Sequence, residues 1–195
     1  MMTYLHWTLF ETIDEDLLAF SREVEFAKAN FPTYSVYLSR LYLTICSEVD
    51  VVAKLLCERI DLEAKAENIN EYRDVIGPKY PNFSRLSITI RPMGLDLVPW
   101  EEWQDWKAKK NPPWWSSHND VKHQRDKYFH LANLGNVLQS ACGLLVLLTY
   151  YHQPELYARH LKPHFRIFEI DRNVASCLSW AFEYNLPDFG KSIAD

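Results

Sequence analysis

Residues 112–151 read PPWWSSHNDVKHQRDKYFHLANLGNVLQSACGLLVLLTYY, an aromatic loop joined to a segment that begins polar and ends strongly apolar. Pro112 and Pro113 disfavour helix before them, and Ser117 with Asp120 three positions on is a capping-box-like pair. The spacing therefore predicts a helix over residues 117–151. Within it Val121, Arg125, Tyr128 and Ala132 form one stripe. Leu131, Leu134, Leu138, Ala141, Leu145 and Leu148 form another, at the three- and four-residue spacing of a buried helix. The fully apolar run, residues 141–148, falls short of the roughly 20 residues that cross a bilayer, so it is read as core and not as a membrane span. Gly135 and Gly143 each cost about 1 kcal/mol relative to alanine inside a helix, and so mark places where another element comes close.

The 195 residues suit a single domain, 1–195. A content of 48% hydrophobic and 14% aromatic residues with only 5 glycines is that of a folded globular chain. The net charge of −5 provides no basic field, which argues against a dedicated DNA-binding domain and against attraction to anionic lipid. Cys46, Cys57, Cys142 and Cys177 have no CxxC spacing, and three of them lie in apolar helical patterns, as buried free thiols of a reducing cytoplasm do. The start, MMTYLHWTLFETIDED, lacks the basic head and continuous apolar stretch of a signal peptide. The expected location is the cytoplasm.

Outward from the opening stretch, helices are expected at residues 14–29, with Asp14 and Asp16 at a positive helix start, and at 33–66. In the second, Leu38, Leu41, Ile45, Val49, Val52, Leu56 and Ile60 make one apolar stripe. Glu48 sits at the edge of that stripe and requires a cationic partner, while Asp50 and Lys54 pair at i,i+4 on a wetter side. Residues 70–80 read as a short helix broken at Gly77-Pro78. Between residues 86 and 98, Leu86, Ile88 and Ile90 alternate, Pro92-Met93-Gly94 supplies a turn, and Leu95 and Leu97 alternate again, a hairpin pattern. Trp100, Trp103 and Trp106 share one side of a helical turn or two. A short helix at 154–161, a third strand within 164–170 and a last helix at 173–185 complete the pattern, with a loose tail from residue 187. The fold class is mainly α, with a small β-hairpin or three-stranded insertion.

Chemistry concentrates at the head of the 117–151 segment. Asn119 and His123 are one helical turn apart, on a face with Asp126, Lys127 and His130, while Lys122 and Arg125 stand at i,i+3 beside it. An imidazole next to cations and an amide is a usable set for cleaving RNA. The 2′-hydroxyl needs a base, the phosphate a fixed cation and the leaving 5′-oxygen an acid, and histidine serves near neutral pH without metal or cofactor. The alternative is structural: Glu48 or another carboxylate pairs with Arg125 or Lys122, and His123 closes a buried network. Trp114 and Trp115 have two readings as well, base-stacking platform or core seal, and Lys107, Lys109 and Lys110 read as solvated surface or RNA-backbone contact. Pro163 interrupts the helix that His160 and His164 would need to form a metal pair.

The block WWSSHNDVKHQRDKYFHLANLGNVL, with CSEVDVVAK on the preceding helix, resembles the HEPN superfamily, in the bacterial branch that carries an N-x-x-K-H-x-R signature and an A-N-L-x-N stretch. The resemblance covers residues 34–66 and 112–151. It implies an antiparallel helical bundle, a homodimer with one composite cleft on its axis, and metal-independent endoribonuclease activity in toxin–antitoxin or phage-defence systems, with RNA or a nucleotide and an antitoxin protein as partners. A catalytically inactive dimerisation or nucleotide-binding module is the other form such domains take. By resemblance His123 is the general acid/base, Lys122 and Arg125 hold phosphate, and Asn119 and Glu48 orient them. The family's leading arginine has no counterpart: the residue before Asn119 is His118, and Arg125 follows the histidine by two. A shift of two helical residues turns a side chain about 200° around the axis.

Overall fold

The computed structural model describes residues 4–157, 160–162 and 164–170. The chain is mainly helical with one small antiparallel sheet. Helix α1 spans Leu5–Phe20, α2 Val36–Ile60, α3 Ile69–Lys79, α4 Pro113–His123, α5 Arg125–Tyr128, α6 Leu134–Tyr151 and α7 Gln153–Tyr157. Strand β1 is Ile88–Ile90, β2 Leu95–Leu97 and β3 Phe168–Ile170.

The first helix is earlier than the 14–29 expected. Trp7, Phe10, Ile13 and Leu17 are all buried at three- and four-residue spacing, and that stripe decides the helix more strongly than the acidic residues. Asp14 accordingly lies within the helix instead of at its start. It is 3% exposed, and its carboxylate accepts the backbone N–H groups of Arg166 (2.6 Å) and Ile167 (2.8 Å). In α2 the Ser35 hydroxyl accepts from Leu38 N–H at 3.1 Å as the N-cap, and the chain turns extended at Asp61, so the helix is shorter at both ends than 33–66. Its stripe from Leu38 to Leu56 is buried as expected, and Lys54 pairs with Asp50 at 3.5 Å.

Gly77-Pro78 does not break α3. Pro78 falls in the last turn, and Gly77 meets a close approach: a Cβ there would stand 2.9 Å from the Cβ of Trp106. The hairpin forms with register Ile88↔Leu97 and Ile90↔Leu95. Gly94 at its turn has φ 56°, a left-handed conformation that glycine adopts without cost. β3 joins the other edge of β1, Ile88 opposite Ile170, giving the order β2-β1-β3. The tryptophan segment is a 3₁₀ helix, Glu101–Ala108, bent at Asp105. Its Trp100 and Trp103 are buried.

The single helix expected over 117–151 is instead three pieces. Pro113 occupies the first turn of α4, its fixed φ suited to that place, and the Ser117 pair caps nothing. The backbone leaves helix at Gln124 (φ −140°, ψ 55°), inside the polar run KHQRDK, where continued helix would bury nothing. The short α5 and a 3₁₀ turn at Phe129–Leu131 follow, and the long helix starts at Asn133, whose side chain accepts from Asn136 N–H at 3.0 Å, while Asn136 donates to the Leu131 carbonyl at 2.8 Å. The ANLGN stretch is thus a helix cap.

Every residue of α6 from 140 to 150 is buried. The helix is long and apolar enough to cross a membrane, with 78% of it buried inside the fold, as befits a core helix. Ser140 and Thr149 satisfy their hydroxyls on carbonyls of their own helix.

The expected antiparallel bundle needs a correction, because α2 and α6 run parallel. Leu134 N–H donates to the Thr33 carbonyl at the start of both helices, and Arg59 donates to the Tyr151 carbonyl at the end of both. Seventy-odd intervening residues allow this, where a short loop would enforce antiparallel neighbours. Helix α1 is antiparallel to the pair, with His6 against Glu48 and Tyr37 donating to the Asp16 carbonyl at 3.1 Å. The short helix α7 is less than the 154–161 expected. The helix expected at 173–185, the tail from 187 and Cys177 lie outside the described residues. Cys46, Cys57 and Cys142 are buried free thiols, and burial pushes the Cys57 thiol up to about 12.

Candidate functional site

Helix α4 is held by its aromatic start. Trp114 is 3% exposed and Trp115 7%, which decides their reading as core seals. The Trp114 indole donates to the Pro99 carbonyl at 2.8 Å, its ring lies against Gly143 of α6, and Tyr42 of α2 donates its hydroxyl to the Trp114 carbonyl. Trp100 donates to the Gly143 carbonyl at 3.1 Å. Val121 is the last fully buried residue of α4.

The polar signature stands on the outer side of this anchored helix. Asn119, Lys122 and His123 are exposed on α4, and Arg125 is exposed at the start of α5, beyond the bend at Gln124. His123 makes no hydrogen bond among the described residues, so the buried-network alternative does not hold for it. The bend also interrupts the continuous helical face on which Asp126, Lys127 and His130 were expected to extend that of Asn119 and His123. Lys122 stands in the last turn of α4, where a cation is favoured by the negative end of the helix dipole.

His118, at the position before Asn119, is different in kind. It is 5% exposed, packed against the rings of Trp115 (centroids 5.2 Å) and Tyr42 (5.9 Å), and its Nδ1 has no hydrogen-bond partner among the described residues. Burial, reinforced by Lys122 and His123 and opposed by Asp50, brings its pKa down to about 4. At pH 7 it is a neutral, enclosed imidazole and not a cation. The cations of the site are Lys122 and Arg125, with Lys127 nearby over the Tyr128 ring at 4.9 Å.

Glu48 is not brought to this cluster. Its carboxylate is hydrogen-bonded to His6 Nδ1 on the α1 side of α2. Two residues on, about 200° around the helix, Asp50 is the α2 carboxylate that His118 senses; it accepts from the Tyr72 hydroxyl at 2.7 Å. Burial together with that hydrogen bond raises the Tyr72 pKa. A first helix beginning at residue 14 leaves His6 off the helical surface and hides it as the partner of Glu48. The spacing of Trp7, Phe10, Ile13 and Leu17 is the signal that places His6 on the helix. Lys107, Lys109 and Lys110 are exposed, Lys107 over the Trp106 ring at 5.5 Å.

Chemically, the Asn119–Arg125 stretch offers an imidazole, two fixed-sign cations and the amides of Asn119 and Gln124, all exposed, with the half-buried carboxylate Asp120 among them. That set can bind a phosphodiester and move one proton. No family model, no curated protein and no solved structure matches this chain.

Proposed function

We propose that this chain is a HEPN-like protein acting on RNA as a metal-independent endoribonuclease of a bacterial defence or toxin–antitoxin system. His123 serves as the acid/base, Lys122 and Arg125 hold the scissile phosphate, and Asn119 orients it. Glu48, engaged with His6, has no part in the reaction. The observation that carries the reading is the exposure of His123, unbonded among the described residues, close in sequence to the exposed Asn119 and Lys122 on α4 and to Arg125 just past the bend. In the reaction the RNA 2′-oxygen loses its proton and attacks phosphorus, the bond to the 5′-oxygen breaks, and that oxygen takes up a proton. A cyclic 2′,3′-phosphate and a 5′-hydroxyl result. One imidazole cannot be base and acid in the same step, so the reading requires a homodimer in which two copies of His123 face one another.

The second reading is a catalytically silent HEPN-like dimerisation or nucleotide-binding module. It is favoured by two observations, the buried neutral His118 where the family's arginine stands and the bond that holds Glu48 away.

Cleavage of a mixed structured and single-stranded RNA pool in EDTA separates the two. An exposed residue without a hydrogen bond changes stability by no more than about 0.5 kcal/mol when truncated, so His123→Ala and Arg125→Ala report on chemistry. Cleavage by the wild type that both variants lose, leaving cyclic phosphate ends, is the expected result. No cleavage by a dimeric wild type would overturn the enzymatic reading and leave the silent module.

A further inference from the structure

A cleft of about 410 Å³ opens where Phe31-Pro32, the segment from Val98 to Glu102 and the starts of α4 and α6 meet. That volume is within the range of about 300–1,000 Å³ typical of small-molecule sites. Phe31, Pro32, Val98 and Pro113 give the cleft apolar walls. Its donors are spent inside the protein. At the start of α6 the N–H groups of Leu134, Gly135 and Val137 are bonded to the carbonyls of Thr33, Phe31 and Asn133, and that of Asn136 to the Asn133 side chain, so this helix start has no free N–H for an anion. The Asn136 amide donates to the Leu131 carbonyl at 2.8 Å, the Asn133 amide to His130 at 3.2 Å, and the Trp114 indole to Pro99 at 2.8 Å.

What remains is mostly acceptor. The side-chain oxygen of Asn136 accepts nothing among the described residues, and the half-buried Gln139 amide is unbonded there too. Glu101 and Glu102 both line the cleft, and no residue described in its lining is basic. Neither glutamate has an ion-pair partner among the described residues. Burial and the neighbouring Glu101 charge hold the Glu102 carboxyl above its ordinary value, against a bond to its own backbone N–H. A partly buried carboxylate beside another is costly without a cation. The cleft thus combines uncompensated negative charge, spare acceptors and apolar walls.

We infer that this cleft binds a primary aliphatic amine. An alkylammonium group is a compact positive charge with three donors and no acceptor, the complement of two carboxylates and the Asn136 oxygen. Its hydrocarbon stem lies on the proline and phenylalanine walls, where each methylene removed from water raises affinity about fourfold. An anion meets like charge and spent donors. A hydrated divalent cation gains nothing from the apolar walls, because it holds its own water shell. The inference is independent of the ribonuclease reading, which concerns residues 119–125.

The test is titration calorimetry of the full chain, in a buffer without amines, with n-pentylamine, methylamine, pentanoate and Mg²⁺. n-Pentylamine is expected to bind at least about tenfold tighter than methylamine, through its longer stem, and pentanoate is expected not to bind. The double variant Glu101→Gln with Glu102→Gln keeps the size of both side chains and removes both charges. It should weaken n-pentylamine at least about tenfold, with folding verified by its melting curve. Gln139→Glu adds a carboxylate to the cleft and should tighten n-pentylamine. Absence of n-pentylamine binding, equal binding of the two amines, displacement of n-pentylamine by an equal concentration of Mg²⁺, or unchanged binding in the folded double variant overturns the inference, whatever the RNA cleavage result.

Discussion

The imidazole of His6 on α1 is hydrogen-bonded to the carboxylate of Glu48 on α2, across 42 residues of chain. This contact locks two helices and gives Glu48 a structural duty. Glu48→Gln is therefore expected to lower unfolding free energy by about 1.5–3 kcal/mol, the range for a hydrogen bond to a charged group, and to leave the proposed RNA cleavage unchanged. Urea denaturation beside the cleavage assay checks both halves. Loss of cleavage in a folded Glu48→Gln protein would return Glu48 to the site.

His118 predicts an acid-sensitive fold. Its unfolded imidazole takes up a proton near pH 6.5, about the ordinary value, but in the fold only at about 4. Between these values the unfolded state binds more protons, so stability falls as pH drops through that window and the loss is complete below it. His152, which burial also holds below its ordinary value, adds to the same trend. The melting temperature of His118→Phe, which keeps a ring beside Tyr42 and Trp115, should fall less between pH 6.5 and pH 4 than that of the wild type. Parallel curves for the two proteins would refute the assignment.

Gly143 lets α6 pass beneath the aromatic start of α4. A Cβ there would lie 2.9 Å from Trp114 Cζ2 and 3.3 Å from Cη2, and the indole is pinned by its bond to Pro99. Gly143→Ala gains about 1 kcal/mol of helix propensity, yet overpacking of a core costs about 1–3 kcal/mol. The net effect is a lower urea midpoint, read with Trp fluorescence as the probe. Gly135→Ala meets Phe31 Cβ at 3.2 Å, a milder contact on a half-buried residue, and should cost less.

Asp14 joins α1 to the segment entering β3 through two backbone N–H groups. Asp14→Ala leaves both donors without their acceptor, at a cost of about 1–3 kcal/mol each when water cannot replace it. Amide hydrogen exchange at Arg166 and Ile167 should quicken more than exchange in α2. Uniform change across the chain would show a global effect in place of this local one.

Much of the fold follows from contacts near in sequence. The stripe of α2, the Asp50–Lys54 pair and the hairpin around Gly94 depend on spacings of two to four residues, and the same regularity makes α6 a core helix. The polar signature at Asn119, Lys122, His123 and Arg125 is legible for the same reason, since charged side chains are almost always left on the outer face of a helix. Tertiary structure decided the rest. Whether α2 and α6 run parallel depends on how a long connection is routed, which no local pattern records. The bend at Gln124 arises because the polar run has nothing to pack against once Val121 is buried. Glu48 turns to His6 and not to His123 because carboxylates two residues apart on a helix face opposite neighbours, and only the docking of α1 determines which neighbour waits on each side.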